Sequence, residues 1–151
     1  MDPHAAFLVR RGMKTLHLRV ERQCANALAM ARALEGHEAV RRVLYPGLVS
    51  HPGRDVARRQ MSAFGGMVTL ELAGGLAAAE RFYDRLRLVA RAASLGGVES
   101  LASLPVHTSH YGLPEAKLRD AGIDPGMVRL SMGVEDAADL IADVQRALGE
   151  G

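Results

Sequence analysis

An arginine within an apolar strand pattern is the residue of this chain best suited to bind an anion. Val128, Leu130 and Met132 alternate with Arg129 and Ser131, which predicts a strand that turns Arg129 away from its apolar face. A guanidinium is a rigid fork that matches both oxygens of a carboxylate. A structural ion pair and an exposed sheet face are simpler explanations of Arg129, and the pattern alone leaves both open.

A glycine-rich segment is the second candidate for ligand binding. Gly96 and Gly97 lie between Ser94 and Ser100, with Glu99 beside them. Two adjacent glycines allow a tight turn that brings backbone N–H groups close to a ligand. A plain turn between two elements explains the same residues, so the segment by itself does not decide between the two interpretations.

Other kinds of site have little support in the composition. Among the histidines only His107 and His110 are close together, and no cysteine or carboxylate completes a metal set around them. Aromatic residues make up 4% of the chain, without Trp, which argues against a base-stacking surface. The arginines are dispersed and the net charge is only +2, so no nucleic-acid partner is expected. Cys24 lies in an apolar helical pattern and is predicted to be a buried core thiol.

The elements that position these residues follow from periodicity and from Gly and Pro. Asp2 and Pro3 predict the start of a long helix that is weakest at Gly12 and ends at Gly36. Its predicted apolar face consists of Met13, Leu16, Val20, Cys24, Leu28, Ala31 and Leu34. Further helices are predicted at 50–60, 76–86, 114–120 and 137–148, and strands at 40–44, 67–72, 88–92 and 127–133, with a long irregular stretch after residue 100.

These elements predict an α+β fold with a mostly antiparallel sheet of about four strands and helices on one face. We expect two parts, a linking long helix at 1–36 and a C-terminal α+β domain at 37–151. No apolar run has the length of a membrane span and no signal peptide is recognised, so a cytoplasmic protein without membrane contact is expected.

Two segments resemble motifs of the pyridoxal-phosphate-dependent enzymes of Cys/Met metabolism. Residues 94–100 are similar to the family's SLGGxES, and residues 128–136 are similar to its VRLSVGIED. The family includes cystathionine γ-synthase, cystathionine lyases, methionine γ-lyase and O-acylhomoserine sulfhydrylases. Three more segments resemble its RGLKTL, VxYPGLxSHP and RQMxGFGGM motifs in the same order, at 11–16, 43–52 and 59–67.

The resemblance implies a site that the pattern alone left open. In the family, a C-terminal antiparallel sheet covered by helices packs against a large cofactor domain. The arginine that corresponds to Arg129 binds the substrate α-carboxylate, and the serine that corresponds to Ser94 lies beside the substrate and the cofactor lysine. Ser109 aligns with a threonine near the substrate. Ala93 replaces a glutamate that pairs with the distal amino group of cystathionine, which implies a substrate of the methionine γ-lyase or sulfhydrylase type.

Neither lysine of the chain corresponds to the lysine that binds the cofactor in this family. Lys14 and Lys117 are the only two, and neither falls in the family's cofactor-binding segment. Pyridoxal phosphate is therefore expected in the parent enzyme but not covalently on this chain, and a large cofactor domain is expected to precede residue 1.

Three expectations follow for the chain as a protein. By itself it is expected to be inert as an enzyme and to self-associate through the face that meets the cofactor domain in the parent enzyme, a homotetramer by resemblance. A free-standing, non-catalytic module that binds an amino acid or a partner is the alternative function. The substrate and the choice between elimination and replacement stay open.

Overall fold

The computed structural model describes residues 1–149, and within them the chain forms six α-helices and five strands. The helices are α1 (Pro3–Met13), α2 (Leu16–Leu34), α3 (Arg54–Gln60), α4 (Gly75–Arg85), α5 (Glu115–Asp120) and α6 (Ala137–Leu148). The strands are β1 (Val40–Leu44), β2 (Met67–Leu72), β3 (Ala90–Arg91), β4 (Leu101–Ser103) and β5 (Met127–Ser131). No helix of this part of the chain is long and apolar enough to cross a membrane.

The strands form one mixed sheet in the order β1-β2-β5-β4-β3. The predicted α+β class is confirmed, and three of the four strand pairs are antiparallel as predicted. The predicted count of about four strands needs correction. A fifth strand, β4, lies in the stretch predicted to be irregular, and it runs parallel to β3. Its three residues are all buried, so the alternation that identifies a half-exposed strand is absent.

Three helices pack together over one face of the sheet. α6 contacts both α2 and α4, and the sheet contributes alternate residues to the same core. Fully buried side chains include Met30, Leu34, Val68, Leu70, Val128, Leu130, Leu140 and Val144. Burial of each large aliphatic side chain contributes about 1.5–3 kcal/mol, so this layer holds the sheet and fixes which side of β5 faces outward.

The predicted N-terminal helix is two helices rather than one. α1 ends at Met13 and α2 begins at Leu16, directly after the weak point predicted at Gly12. The predicted start is confirmed, since the Asp2 carboxylate accepts hydrogen bonds from the backbone N–H groups of His4 and Ala5. α1 contains no buried residue.

The predicted apolar face of this region is wrong in its first half. Met13 is 62% exposed, Leu16 45% and Val20 43%. Burial begins at Gln23 and continues through Leu34. Periodicity identifies the apolar face of a helix but does not show whether anything covers it.

The segment before α3 also differs from its prediction. The helix begins at Arg54, with Gly53 at its cap and no capping side chain. Ser50 instead donates its hydroxyl hydrogen bond to Glu35 Oε1 at 2.5 Å, and His51 Nδ1 accepts from Gly53 N at 3.1 Å. Because the Ser50 hydroxyl is engaged with Glu35, it does not cap α3.

A buried carboxylate holds the chain that leads into β3. Asp143 on α6 is 7% exposed, and its oxygens accept from the backbone N–H groups of Arg87, Leu88 and Val89 and from Arg146. Burial raises the pKa of this carboxyl, but the hydrogen bonds together outweigh burial and hold the pKa below its usual value.

Asp143→Asn is expected to lower the free energy of unfolding at pH 7 by about 2–3 kcal/mol, because an amide places donors where donors already converge. The Asp143 carboxyl contributes stability that is fully present above its unfolded pKa of about 3.9. That contribution is lost as the pH falls through the lower pKa of the folded state. Urea titrations between pH 7 and pH 2 measure both effects, with Asp139→Asn, on the exposed side of α6, as the matched control. Equal pH dependence in the wild type and in Asp143→Asn would contradict the assignment.

Candidate substrate-binding site

Arg129 lies at the centre of the sheet, on the face opposite the helices. It is the middle residue of β5, and β5 is the middle strand. Val128 and Leu130 on either side of it are fully buried in the helix-covered core. The outward orientation predicted from the sequence is therefore confirmed.

The guanidinium of Arg129 has no carboxylate partner within residues 1–149. Arg41 and Arg42, on the same sheet, both pair with the Glu71 carboxylate, at 3.0 and 2.7 Å. Arg129 makes one long hydrogen bond, from Nη2 to the backbone oxygen of Ser94 at 3.5 Å. A structural ion pair within the described residues does not explain Arg129, and its fork remains able to bind an external carboxylate.

The glycine-rich loop lies across β5 on the same face as Arg129. Gly96 N donates to Ser131 Oγ at 3.3 Å, and Ser131 points to the same side as Arg129 because the two are separated by one residue of a strand. The structure thus brings together Ser94 and Arg129, which are 35 positions apart in sequence. Gly96 adopts a φ of 76°, a conformation that favours glycine.

The far end of the loop is fixed by a buried network that joins the two motifs. Ser100 N and Oγ donate to the two oxygens of Glu135, at 2.6 and 2.8 Å. Ser100 Oγ in turn accepts from Gly133 N at 2.8 Å. Ser100 is 0% exposed, so these bonds hold the loop against the end of β5.

Two polar residues of α2 complete this network, and the sequence reasoning missed both. Gln23 Nε2 donates to the backbone oxygen of Gly97 at 2.7 Å. Asn26 Nδ2 donates to the backbone oxygens of Gly133 and Glu135, each at 3.0 Å. A signal was present, because Gln23 and Asn26 are three residues apart and border the apolar face of α2.

The other two predicted site residues are less closely tied to Arg129. Ala93 is exposed and directly precedes Ser94. Ser109 is exposed, and its hydroxyl is paired with the neighbouring His110 Nδ1 at 2.8 Å. No hydrogen bond of the described residues joins Ser109 to Arg129 or to Ser94. No group of three His, Cys, Asp or Glu residues in this part of the chain is placed to hold a metal ion.

Comparison with known proteins assigns the chain to a family. Residues 1–149 match the family described as Cys/Met metabolism PLP-dependent enzymes. The chain belongs to this family. Its members include pyridoxal-phosphate-dependent lyases and synthases of methionine and cysteine metabolism.

Curated members of the Cys/Met metabolism family align with nearly all of the chain. L-methionine gamma-lyase of Pseudomonas putida is 48% identical over 148 residues, which are 98% of this chain and 37% of the lyase. Chloroplastic cystathionine gamma-synthase 1 of Nicotiana tabacum is 47% identical over 98% of this chain and 27% of the synthase. The chain thus spans less than two fifths of the length of these two relatives.

Solved structures of family members share the fold. The cystathionine gamma synthase of Xanthomonas oryzae pv. oryzae, solved in complex with aminoacrylate and cysteine, superposes with a TM-score of 0.91 at 44% identity. The match covers 97% of this chain and 38% of that one. A cystathionine gamma lyase of Micromonospora echinospora gives a TM-score of 0.90 at 44% identity, over 96% of this chain and 38% of that one.

The described residues do not fit the covalent attachment of the family's cofactor. Lys14 and Lys117 are both exposed. Lys14 borders an open cleft with Phe7, Arg10 and Arg11, where no hydroxyl is placed to bind a phosphate. A lysine that binds this cofactor requires an enclosed site with a phosphate cradle and an acid for the ring nitrogen, and neither lysine has such surroundings.

Proposed function

We propose that this chain is the substrate-carboxylate-binding part of a pyridoxal-phosphate-dependent lyase or transferase that acts on sulfur amino acids or activated homoserines. The observation that carries the proposal is Arg129, whose guanidinium has no carboxylate partner within residues 1–149 and lies at the centre of the sheet, on the face opposite the helices. Arg129 binds the α-carboxylate, and Ser94 lines the adjacent wall. The cofactor supplies the electron sink for γ- or β-elimination or replacement, and the residues that bind it lie on a separate cofactor domain.

The partner in this proposal is a domain that covers α1 and the first half of α2. This region exposes large apolar side chains, among them Phe7 at 58%, Val9 at 52% and Leu18 at 57%. Arg10 and Arg11 beside them make no ion pair among the described residues. An apolar surface bordered by unpaired cations favours an apolar partner that carries carboxylates.

The substrate preference in this proposal rests on Ala93. A methyl group next to Ser94 offers no carboxylate to a distal ammonium, so a substrate with a thioether or an acyl group is preferred to cystathionine. The relatives do not decide between these substrates, because a methionine gamma-lyase and enzymes named for cystathionine align with the chain about equally well.

A titration with a simple amino acid tests the carboxylate site. L-methionine is expected to give saturable shifts of the Arg129 Nε–Hε and Gly96 amide resonances, with a dissociation constant on the order of 1 mM or weaker. The methyl ester of L-methionine, which lacks the carboxylate, is the matched control and should leave both resonances unchanged. Absence of a saturable shift with L-methionine would contradict the proposed function. Micromolar affinity would instead favour a free-standing amino-acid-binding module.

A cofactor titration tests the second half of the proposal. Because both lysines are exposed, pyridoxal phosphate is expected to give only the weak, unsaturated absorbance change of surface amines, without turnover of L-methionine. A tight, saturable band accompanied by turnover would show that this chain holds the cofactor by itself.

A further inference from the structure

Two hydroxyl side chains flank Arg129 in one row across the sheet. Thr69 of β2 and Ser103 of β4 are both in register with Arg129, one on each side. Side chains of residues directly opposite one another on neighbouring antiparallel strands point to the same face. The outer face of the sheet therefore presents a hydroxyl, a guanidinium and a second hydroxyl in sequence.

The Ser103 hydroxyl is buried but has no hydrogen-bond partner among the described residues. Ser103 is 2% exposed. Buried polar groups are nearly always paired. A hydroxyl without a partner, beside a guanidinium that has no carboxylate partner among the described residues, indicates a shared ligand.

The chemistry of a carboxylate fits this pair of residues. A carboxylate has two oxygens with about four acceptor positions. The arginine fork fills one position on each oxygen, which leaves the others for hydroxyl donors. An ionised carboxylate only accepts hydrogen bonds, and a guanidinium only donates them. A hydroxyl beside the bound carboxylate therefore acts as a second donor to the same anion.

We propose that Ser103 is a second substrate-binding residue, whose Oγ donates to the α-carboxylate that Arg129 holds. Thr69, which is half-buried, offers a further hydroxyl on the opposite side of the guanidinium. This assignment rests on the proposed function of Arg129 and adds a specificity element to it. The hydroxyls contribute only when the ligand carries a carboxylate.

Ser103→Ala is expected to raise the dissociation constant for L-methionine about tenfold, because one donor to a charged acceptor is lost. The methyl ester should leave the resonances of Ser103→Ala unchanged, as it does those of the wild type. The resistance to urea should not decrease, since the hydroxyl has no partner within residues 1–149. Thr69→Val is the second variant, with a smaller expected loss and the same shape as threonine. Heteronuclear NMR titration of the full chain measures binding, and urea denaturation measures stability.

Ser131→Ala is the matched comparison, because Ser131 is 4% exposed on the same face and accepts from Gly96 N. Ser131→Ala should lower the resistance to urea, whereas Ser103→Ala should leave it unchanged. Binding by Ser103→Ala equal to wild type, while Arg129→Ala loses it, would overturn the Ser103 assignment alone. Loss of stability in Ser103→Ala would also overturn it, since the hydroxyl would then be structural. No binding by the wild type would overturn the proposed function and this assignment with it.

Discussion

Arg129→Ala is expected to weaken the binding of L-methionine by at least about a hundredfold, below detection in an NMR titration. A bidentate charge-assisted pair is roughly twice as strong as a neutral hydrogen bond, and a loss of about 3 kcal/mol corresponds to this factor. The stability of the protein should change little, because the described residues give Arg129 only one long bond, to the Ser94 backbone oxygen. The Gly96 amide, which donates to Ser131 on the same face of β5 as Arg129, reports binding in the wild type and in Arg129→Ala.

Arg129→Lys tests how much of the affinity comes from the positive charge and how much from the geometry of the guanidinium. A lysine keeps the positive charge but donates from a single point, so it should recover only part of the affinity. Arg119→Ala is the matched control, because Arg119 forms an exposed pair with Glu115 on α5. It should leave binding unchanged and stability within about 0.5 kcal/mol of wild type. Full affinity in Arg129→Ala would contradict the carboxylate role.

In an assembled enzyme the same substitution has a further expected effect. A bound carboxylate fixes the orientation of the substrate at the reacting carbon, so its loss costs rate as well as affinity. We therefore expect kcat/KM to fall by more than the dissociation constant measured on this chain rises. Steady-state kinetics of the holoenzyme with Arg129→Ala and Arg129→Lys measures the difference.

Gly133→Ala is expected to lower the free energy of unfolding by about 3 kcal/mol or to prevent folding, because no room exists for a side chain. A Cβ at Gly133 would lie 2.3 Å from the Val98 backbone oxygen and 2.5 Å from the Glu99 backbone carbon. Both contacts are with main chain, which cannot rotate away. The Gly133 N–H also donates to Ser100 Oγ, so a shift of the strand end breaks the network that holds the loop.

Gly12→Ala provides the matched control with the opposite sign. No atom lies within 4 Å of a Cβ built at Gly12, and Gly12 is within a helix. Alanine in that position should stabilise the helix by about 0.5–1 kcal/mol. Urea denaturation of both variants compares the two directly, and wild-type stability in Gly133→Ala would show that the loop yields without cost.

The parts of the fold that the sequence predicted are those with a regular period. β1, β2, β5 and α6 lie where alternation or helical spacing placed them, because one side of each faces the core and the other does not. The sequence did not predict β4, because Leu101, Ala102 and Ser103 are all buried and show no alternation. β3 lies within the strand predicted at 88–92, but it is only two residues long.

The site, like the fold, was predicted only in part. The outward orientation of Arg129 follows from alternation in its own strand, and the sequence predicted it. The hydrogen bonds from Gln23 to the loop and from Asn26 to the segment after β5 could not be predicted, because they depend on which segments pack against α2. A polar residue beside an apolar stripe has the same pattern whether it meets solvent or a backbone carbonyl.

The position of β5 in the sheet also sets an order of events during synthesis. β5 is the central strand but the last strand in the sequence, so β2 and β4 lack their shared neighbour until the ribosome has released Ser131. Until that moment β2 and β4 each have an unpaired edge, which is a template for aggregation. Because β2 and β5 pair across a long chain segment, we expect their pairing to slow folding. Chaperone dependence should therefore be greatest for nascent chains that end before β5.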